Sequence, residues 1–152
     1  RKILSLGTAS TPFKYISYLE NSYILFVVPR FSFSIKKQLV NPKKIYVVDN
    51  GFGNNVASRF TLDQGRMLEN IVFLELRRRS KHIYYYKDEL GECDFITQDK
   101  QEVTGVYQVC YKITSDNIER ELNGLIEAVK KTKAKKFLIL TLNQEDTFEK
   151  DG

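Results

Sequence analysis

The 152 residues fit one ordinary domain or one domain with a small appendage, enough to bury about two-thirds of the surface an unfolded chain exposes. Hydrophobic residues at 42% and charged ones at 28% point to a folded rather than a disordered chain, and no apolar run nears the roughly 20 residues that cross a bilayer, so no membrane partner is expected. The net charge of +5 is uneven: residues 1–44 hold eight Lys or Arg against Glu20 alone, whereas residues 45–152 hold sixteen against eighteen Asp or Glu. The first part is therefore a candidate polyanion surface, although a solvated basic face would have the same composition.

No signal peptide is visible, and the two cysteines, Cys93 and Cys110, support neither a disulfide framework nor a four-ligand zinc site. Reduced thiols in a cytoplasmic protein are expected. The single His82 excludes a two-histidine metal centre. The chain starts at Arg1 without an initiator Met and stops at Asp151-Gly152, so it reads as a piece of something longer.

Thr11 caps and Pro12 opens a predicted helix on which Phe13, Ile16, Leu19 and Tyr23 recur until Asn21-Ser22 loosens the pattern. The period then changes. Ile24 to Val28 reads as a strand, Pro29-Arg30 as a turn, and Phe31, Phe33 and Ile35 alternate with Ser32, Ser34 and Lys36 as a second strand. Helix, strand, turn, strand resembles the second half of a winged helix, which would place Arg30, Lys36 and Lys37 against DNA phosphates. The same shape serves equally well as a packing adaptor between domains.

Asn41-Pro42 marks a boundary, because the residue before Pro is pushed out of the helical region and a fresh apolar strand, Ile45 to Val48, follows. The expected division is a partial winged-helix segment over 1–42 and a second domain over 43–152. Asp49-Asn50-Gly51 and Gly53-Asn54-Asn55 form a turn-rich loop that lacks a Gly-Lys-Ser/Thr ending, so no ATP site is expected. Asp49 is expected to bind backbone amides of its own turn rather than a metal.

Gln64 to Arg79 is the strongest predicted helix, apolar on nearly every side and expected to be largely buried. At 100° per residue, Val72, Phe73 and Leu76 fall within about 60° of Glu69, so this carboxylate projects from a core-facing sector. Burying it costs several kcal/mol unless a cation, a metal or hydrogen bonds compensate, which makes Glu69 a site candidate. Arg66, one turn earlier, is the alternative partner. Glu75 is placed to pair with Arg79.

Three strands follow, Ile83–Tyr86, Cys93–Thr97 and Thr104–Ile113, then an amphipathic helix over Asn117–Lys133 and an apolar strand over Phe137–Leu142. Alternation puts Asp94 and Ile96 on one face of the second strand and Cys93 and Phe95 on the other. On the third, Val106, Gln108, Cys110 and Lys112 share a face. Cys93 and Cys110 should then project from opposite sides of the sheet.

Helix, three strands, helix, strand, with acids on the first helix and second strand, resembles the core of the PD-(D/E)XK nuclease superfamily. More narrowly, NPKKIYVVDNG (41–51), GRMLENIVFLELRR (65–78), GECDFI (91–96) and YQVCY (107–111) look like the C-terminal domain of bacterial and archaeal AAA-type ATP-binding proteins. The resemblance covers nearly the whole chain. It implies a restriction-endonuclease-like α/β fold, a mixed sheet flanked by helices and truncated at its C-terminus, with the ATPase domain of the same full-length chain as a partner.

Carried over, the superfamily's metal-binding acids fall on Glu69 and Asp94, with Gln108 in place of a second strand acid. Such a set implies Mg²⁺ held by hard oxygen ligands. The expected lysine is absent, and Cys110 stands in its place. Lys112, on the same predicted strand face but farther along it, is the only substitute for that ammonium. Glu92 is an auxiliary acid. Three readings follow: a degenerate nuclease-like module that binds double-stranded DNA or a protein partner; an active Mg²⁺-dependent deoxyribonuclease using Lys112; and a structural fragment serving homo-oligomerisation.

Overall fold

The computed structural model describes residues 11–51, 63–147 and 149. Chain order is α1 (Thr11–Asn21), β1 (Leu25–Pro29), α2 (Ile35–Val40), β2 (Lys43–Val47), α3 (Gln64–Arg79), β3 (His82–Lys87), β4 (Glu92–Asp99), β5 (Glu102–Val109), α4 (Ile118–Thr132) and β6 (Phe137–Leu140). The strands make a two-stranded antiparallel sheet, β1-β2, and a four-stranded mixed sheet in the order β3-β4-β5-β6. β3, β4 and β5 form the expected meander, and α4 carries the chain across to β6, which runs parallel to β5.

Two apolar clusters flank the four-stranded sheet. On the α3 side Phe73, Phe95, Tyr46, Tyr85, Ile83 and Val28 pack together, with Tyr46 stacked on Phe73 at 4.4 Å between ring centroids. On the α4 side Leu125 and Ala128 meet Cys93, Ile96, Val106 and Phe31. The glycine pair Gly91 and Gly124 brings α4 onto the start of β4: a Cβ on Gly124 would lie 2.1 Å from the Glu92 carbonyl oxygen.

Several sequence expectations change here. Phe31 to Ile35 is not a strand. α2 begins at Ile35, and β1 pairs instead with β2, from Leu25 opposite Val47 to Pro29 opposite Lys43, across the expected boundary at 42/43. The predicted wing hairpin is therefore absent. β2 wins the edge of β1 because its Tyr46 reaches the core, whereas Phe33 is left 76% exposed. α3 buries only Asn70 and Phe73, and Ile71 is 53% exposed, so the helix is less enclosed than its composition predicts. β6 is an edge strand with Phe137 and Leu138 exposed rather than an enclosed one.

The largest departure is a bulge in β4. Tyr84 faces Ile96 and Tyr86 faces Cys93, so β4 spends one residue more than β3 across this interval. Simple alternation fails there: Cys93 and Ile96 both reach the α4-side core, while Phe95 reaches Tyr46 and Phe73 on the α3 side. Cys110 also turns to the α4 side, where its Sγ accepts from Nδ2 of Asn117, the residue preceding α4, at 3.6 Å. The two thiols thus share a face, against the prediction, and both are free.

Candidate functional site

The bulge aims Asp94 at the junction of β2, α3 and β4. There Lys44, on β2, places its ammonium Nζ 2.9 Å from Asp94 Oδ1, 2.9 Å from Glu92 Oε1 and 3.3 Å from Glu69 Oε1. Tyr46, two residues along the same strand face, donates its hydroxyl to Glu69 Oε1 at 2.6 Å. Asp94 Oδ2 accepts the Val109 amide at 2.9 Å. One ammonium therefore serves three carboxylates, two of which sequence reasoning had matched without their cation.

β2 is held to α3 by Asn70, which treats the strand edge as a further strand would. Its Oδ1 accepts from the Val47 amide at 2.9 Å, and its Nδ2 donates to the Val47 carbonyl at 3.0 Å and to Asn50 Oδ1 at 2.9 Å. This buried amide fixes the separation between Lys44 and Glu69. Asp49 takes the role expected of it, its Oδ1 accepting from the Gly51 amide at 2.5 Å. The Gly53-Asn54-Asn55 turn lies outside the described residues.

The electrostatics follow from three negative charges around one positive. Although burial lowers the Lys44 ammonium's pKa, the neighbouring Asp94 and Glu69 carboxylates outweigh it and hold the group well above the usual lysine range. Asp94 is the most enclosed of the three acids. Burial and the nearby Glu69 push it up to about 6 despite the opposing pull of Lys44. Glu92, more exposed and shared with Lys87, is lowered: burial works against its charge, but its bonds to Lys87 and Lys44 prevail. Burial and Glu69 together raise the Tyr46 phenol far above its ordinary value, so it is a donor only.

Gln108 does not join this site. Its Nε2 donates to Glu121 Oε2 at 2.5 Å on the α4 side, and its Oε1 accepts the Asp94 backbone N–H at 3.2 Å. The amide thus satisfies a main-chain donor beside the bulge instead of offering a metal ligand. Glu121, buried in α4, is in turn bound by the exposed Arg120 at 2.6 Å. A cleft on this side is lined by Glu92, Asp94, Gln108, Asp116, Glu119 and Glu121 together with Arg120.

Lys112 is also displaced. β5 ends at Val109, so Lys112 lies exposed in the connection to α4, and its carbonyl accepts from Asn117 Nδ2 at 2.9 Å. The strand-face argument for its ammonium does not hold. Arg66 pairs with Asp63 at 3.1 Å and not with Glu69, while Glu75 binds Arg79 as predicted. Arg30 sits at the end of β1 in a parallel bridge to Tyr85, and Lys36 and Lys37 lie exposed on α2. These three do not form the wing predicted for them.

Among the described residues no group of three or more His, Cys, Asp or Glu side chains is arranged to hold a metal ion. Mg²⁺ requires oxygens at about 2.0–2.1 Å. The Lys44 ammonium stands where such an ion would have to reach both Glu69 and Asp94.

The sequence signal for Lys44 was present in the NPKKIYVVDNG stretch. Only the tertiary approach of β2 to α3 and β4 distinguishes Lys44 from its exposed neighbour Lys43. No helix among the described residues is long and apolar enough to cross a membrane.

These features define an α/β domain with a lysine-bridged carboxylate site. A family described as a domain of unknown function, DUF4143, matches residues 64–152, and the chain belongs to this family. A second domain of unknown function, DUF8612, matches residues 3–63.

An uncharacterised protein of Methanocaldococcus jannaschii is 34% identical over 144 residues, covering 91% of this chain and 31% of the relative. An uncharacterised protein of Haemophilus influenzae is 32% identical over 139 residues, covering 91% of this chain and 33% of the relative. The chain spans about a third of the length of these curated relatives. No solved structure matches.

Proposed function

We propose that the chain is a nuclease-like module of an AAA-type ATP-binding protein, in which metal-dependent cleavage has given way to binding. The observation that carries this reading is the Lys44 ammonium, held at 2.9–3.3 Å by Glu69, Glu92 and Asp94 where a cleaving site would hold its cation. A divalent ion would have to expel a cation that already has three carboxylate partners. Gln108, turned to Glu121, offers that ion nothing.

The test is calorimetric titration of Mg²⁺ and Mn²⁺ into the protein and into Asp94→Ala. No binding in either is the expected result. Binding by the unaltered protein that Asp94→Ala abolishes would overturn the reading.

One observation favours a second reading, an active Mg²⁺-dependent deoxyribonuclease: an ammonium does stand beside Asp94, and it comes from Lys44 rather than Lys112. On that reading DNA cleavage is lost in Lys44→Ala and retained in Lys112→Ala. Absence of cleavage by the unaltered protein removes it.

A further inference from the structure

Two basic turns distant in sequence meet at one end of the sheet. α3 finishes in Arg77-Arg78-Arg79, and Lys81 and His82 lead into β3; α4 carries Lys130 and Lys131 in its last turn, and Lys133, Lys135 and Lys136 lead into β6. The register sets them together. His82 faces Gln98, Gln98 faces Val103 near the start of β5, and β6 enters in parallel beside Val106. Both helices therefore finish at the end where β3, β5 and β6 begin, α3 on one face and α4 on the other. Asp94 binds Val109 at the opposite end, about 20 Å from Val103 at the ~3.4 Å rise of a strand residue.

All nine Lys and Arg side chains of these turns are exposed. Among the described residues their neutralisation is incomplete: Glu75 receives both Arg78 and Arg79, and Glu127 takes Lys130. With Lys100, Asp99 and Glu102 of the β4–β5 tip included, residues 45–152 place ten Lys or Arg against four Asp or Glu at this end, although their overall balance is −2. Glu20, which lines a cavity with Arg77 and Lys81, brings the net charge here to +5.

Basic residues at a helix C-terminus complement the helix dipole, but that effect fades beyond the last turn. Lys81, Lys133, Lys135 and Lys136 lie past it. The α4 turn is also fixed in place. Lys133 takes a left-handed φ of 57°, its N–H donates to the Val129 carbonyl at 2.7 Å, Ala134 is buried in the α4-side core, and the Lys136 carbonyl accepts from Val106 at 3.0 Å.

A duplex carries dense phosphate charge along both of its strands, which a fixed cationic end contributed from both faces of the sheet complements. We propose that this end of the sheet binds a DNA duplex through its phosphates, with the α3 turn on one strand and the α4 turn on the other. The surface is separate from the Lys44 site, so the metal titration and the DNA measurement can fail independently. It also differs from Arg30, Lys36 and Lys37, which the sequence alone had placed against DNA.

The test is fluorescence anisotropy with a labelled mixed-sequence duplex, read between about 50 and 200 mM salt, where phosphate contacts dominate the salt response. The triple variant Lys131→Gln, Lys135→Gln, Lys136→Gln and the double variant Arg78→Gln, Lys81→Gln should each weaken binding about tenfold or more. The slope of log affinity against log salt should become shallower by about one for each contact removed. The double variant Lys36→Gln, Lys37→Gln should bind as the unaltered protein does.

Circular dichroism of each variant serves as the check that it is folded. Any of three results overturns the proposal: no duplex binding by the unaltered protein, binding by both basic-turn variants as tight as that of the unaltered protein, or preference for phosphatidylserine vesicles over duplex.

Discussion

The two faces of the four-stranded sheet bury charge in different ways. On the α3 side Glu69, Glu92 and Asp94 share Lys44, which leaves more negative charge than the ammonium can balance. On the α4 side Glu121 has its own Arg120 and the Gln108 amide, and the packing relies on backbone approach at Gly91 and Gly124. The first face should respond to pH and to loss of a cation, and the second to added volume. The contrast also shows why an acid matched by chain order need not serve the same charge site as its supposed partner: Asp94 and Gln108 are hydrogen-bonded and line one cleft, yet Asp94 binds Lys44 while the Gln108 amide binds Glu121.

The largest effect should come from the apolar floor of the α3 side. Phe73→Ala removes a ring that is 1% exposed and stacked on Tyr46, and should cost about 4 kcal/mol in urea unfolding. Because Tyr46 also donates to Glu69, this change should disturb the charge site as well.

Lys44→Met should cost about 3 kcal/mol at neutral pH, since it leaves buried carboxylates without their cation. The same unfolding measurement near pH 5 should show a smaller loss, because Asp94 is then largely protonated. An equal loss at both values would mean that Lys44 acts through packing alone.

Asp94 itself gives a pH signature. Its folded pKa, about 6, lies above the ~3.9 of an unfolded Asp, so the folded state binds more protons between these values. This group's contribution to stability should therefore grow as pH falls from about 7 to 4, by on the order of 2–3 kcal/mol, and vanish as pH rises through 6. Glu92 acts in the opposite sense, its lowered pKa supporting the fold at higher pH and losing that support below the ordinary carboxylate range. Asp94→Asn should flatten the rise in Tm on acidification while leaving the later fall.

On the other face, Gly124→Ala should cost about 2 kcal/mol, because its Cβ would meet the Glu92 carbonyl at 2.1 Å and α4 would have to move away. This loss should not vary between pH 5 and 7. At the small end, Lys130→Ala breaks an exposed pair with Glu127 and should change stability by only about 0.3 kcal/mol. A shift above 1 kcal/mol there would mark the basic turn as structural.

The sequence by itself determined the local elements. Apolar spacing placed α3 over Gln64–Arg79, and alternation with turn chemistry gave the meander, α4 and β6 in order, because 3.6-residue and two-residue periods are written in neighbouring side chains. It also marked Glu69 as an acid in apolar company, while Asp94 was matched through the family resemblance. The tertiary structure alone decided what these elements do to one another.

One extra residue in β4 reverses the side-chain phase and sends Asp94 toward α3, a change no repeat announces. Phe31 to Ile35 reads as a strand until β2 takes the edge of β1. Lys44 looks like any strand lysine until β2 brings it to Glu69, 25 residues away, and to Asp94, 50 away. A charge partner is fixed by distance in space, and the sheet register that sets that distance is a property of the whole assembled core.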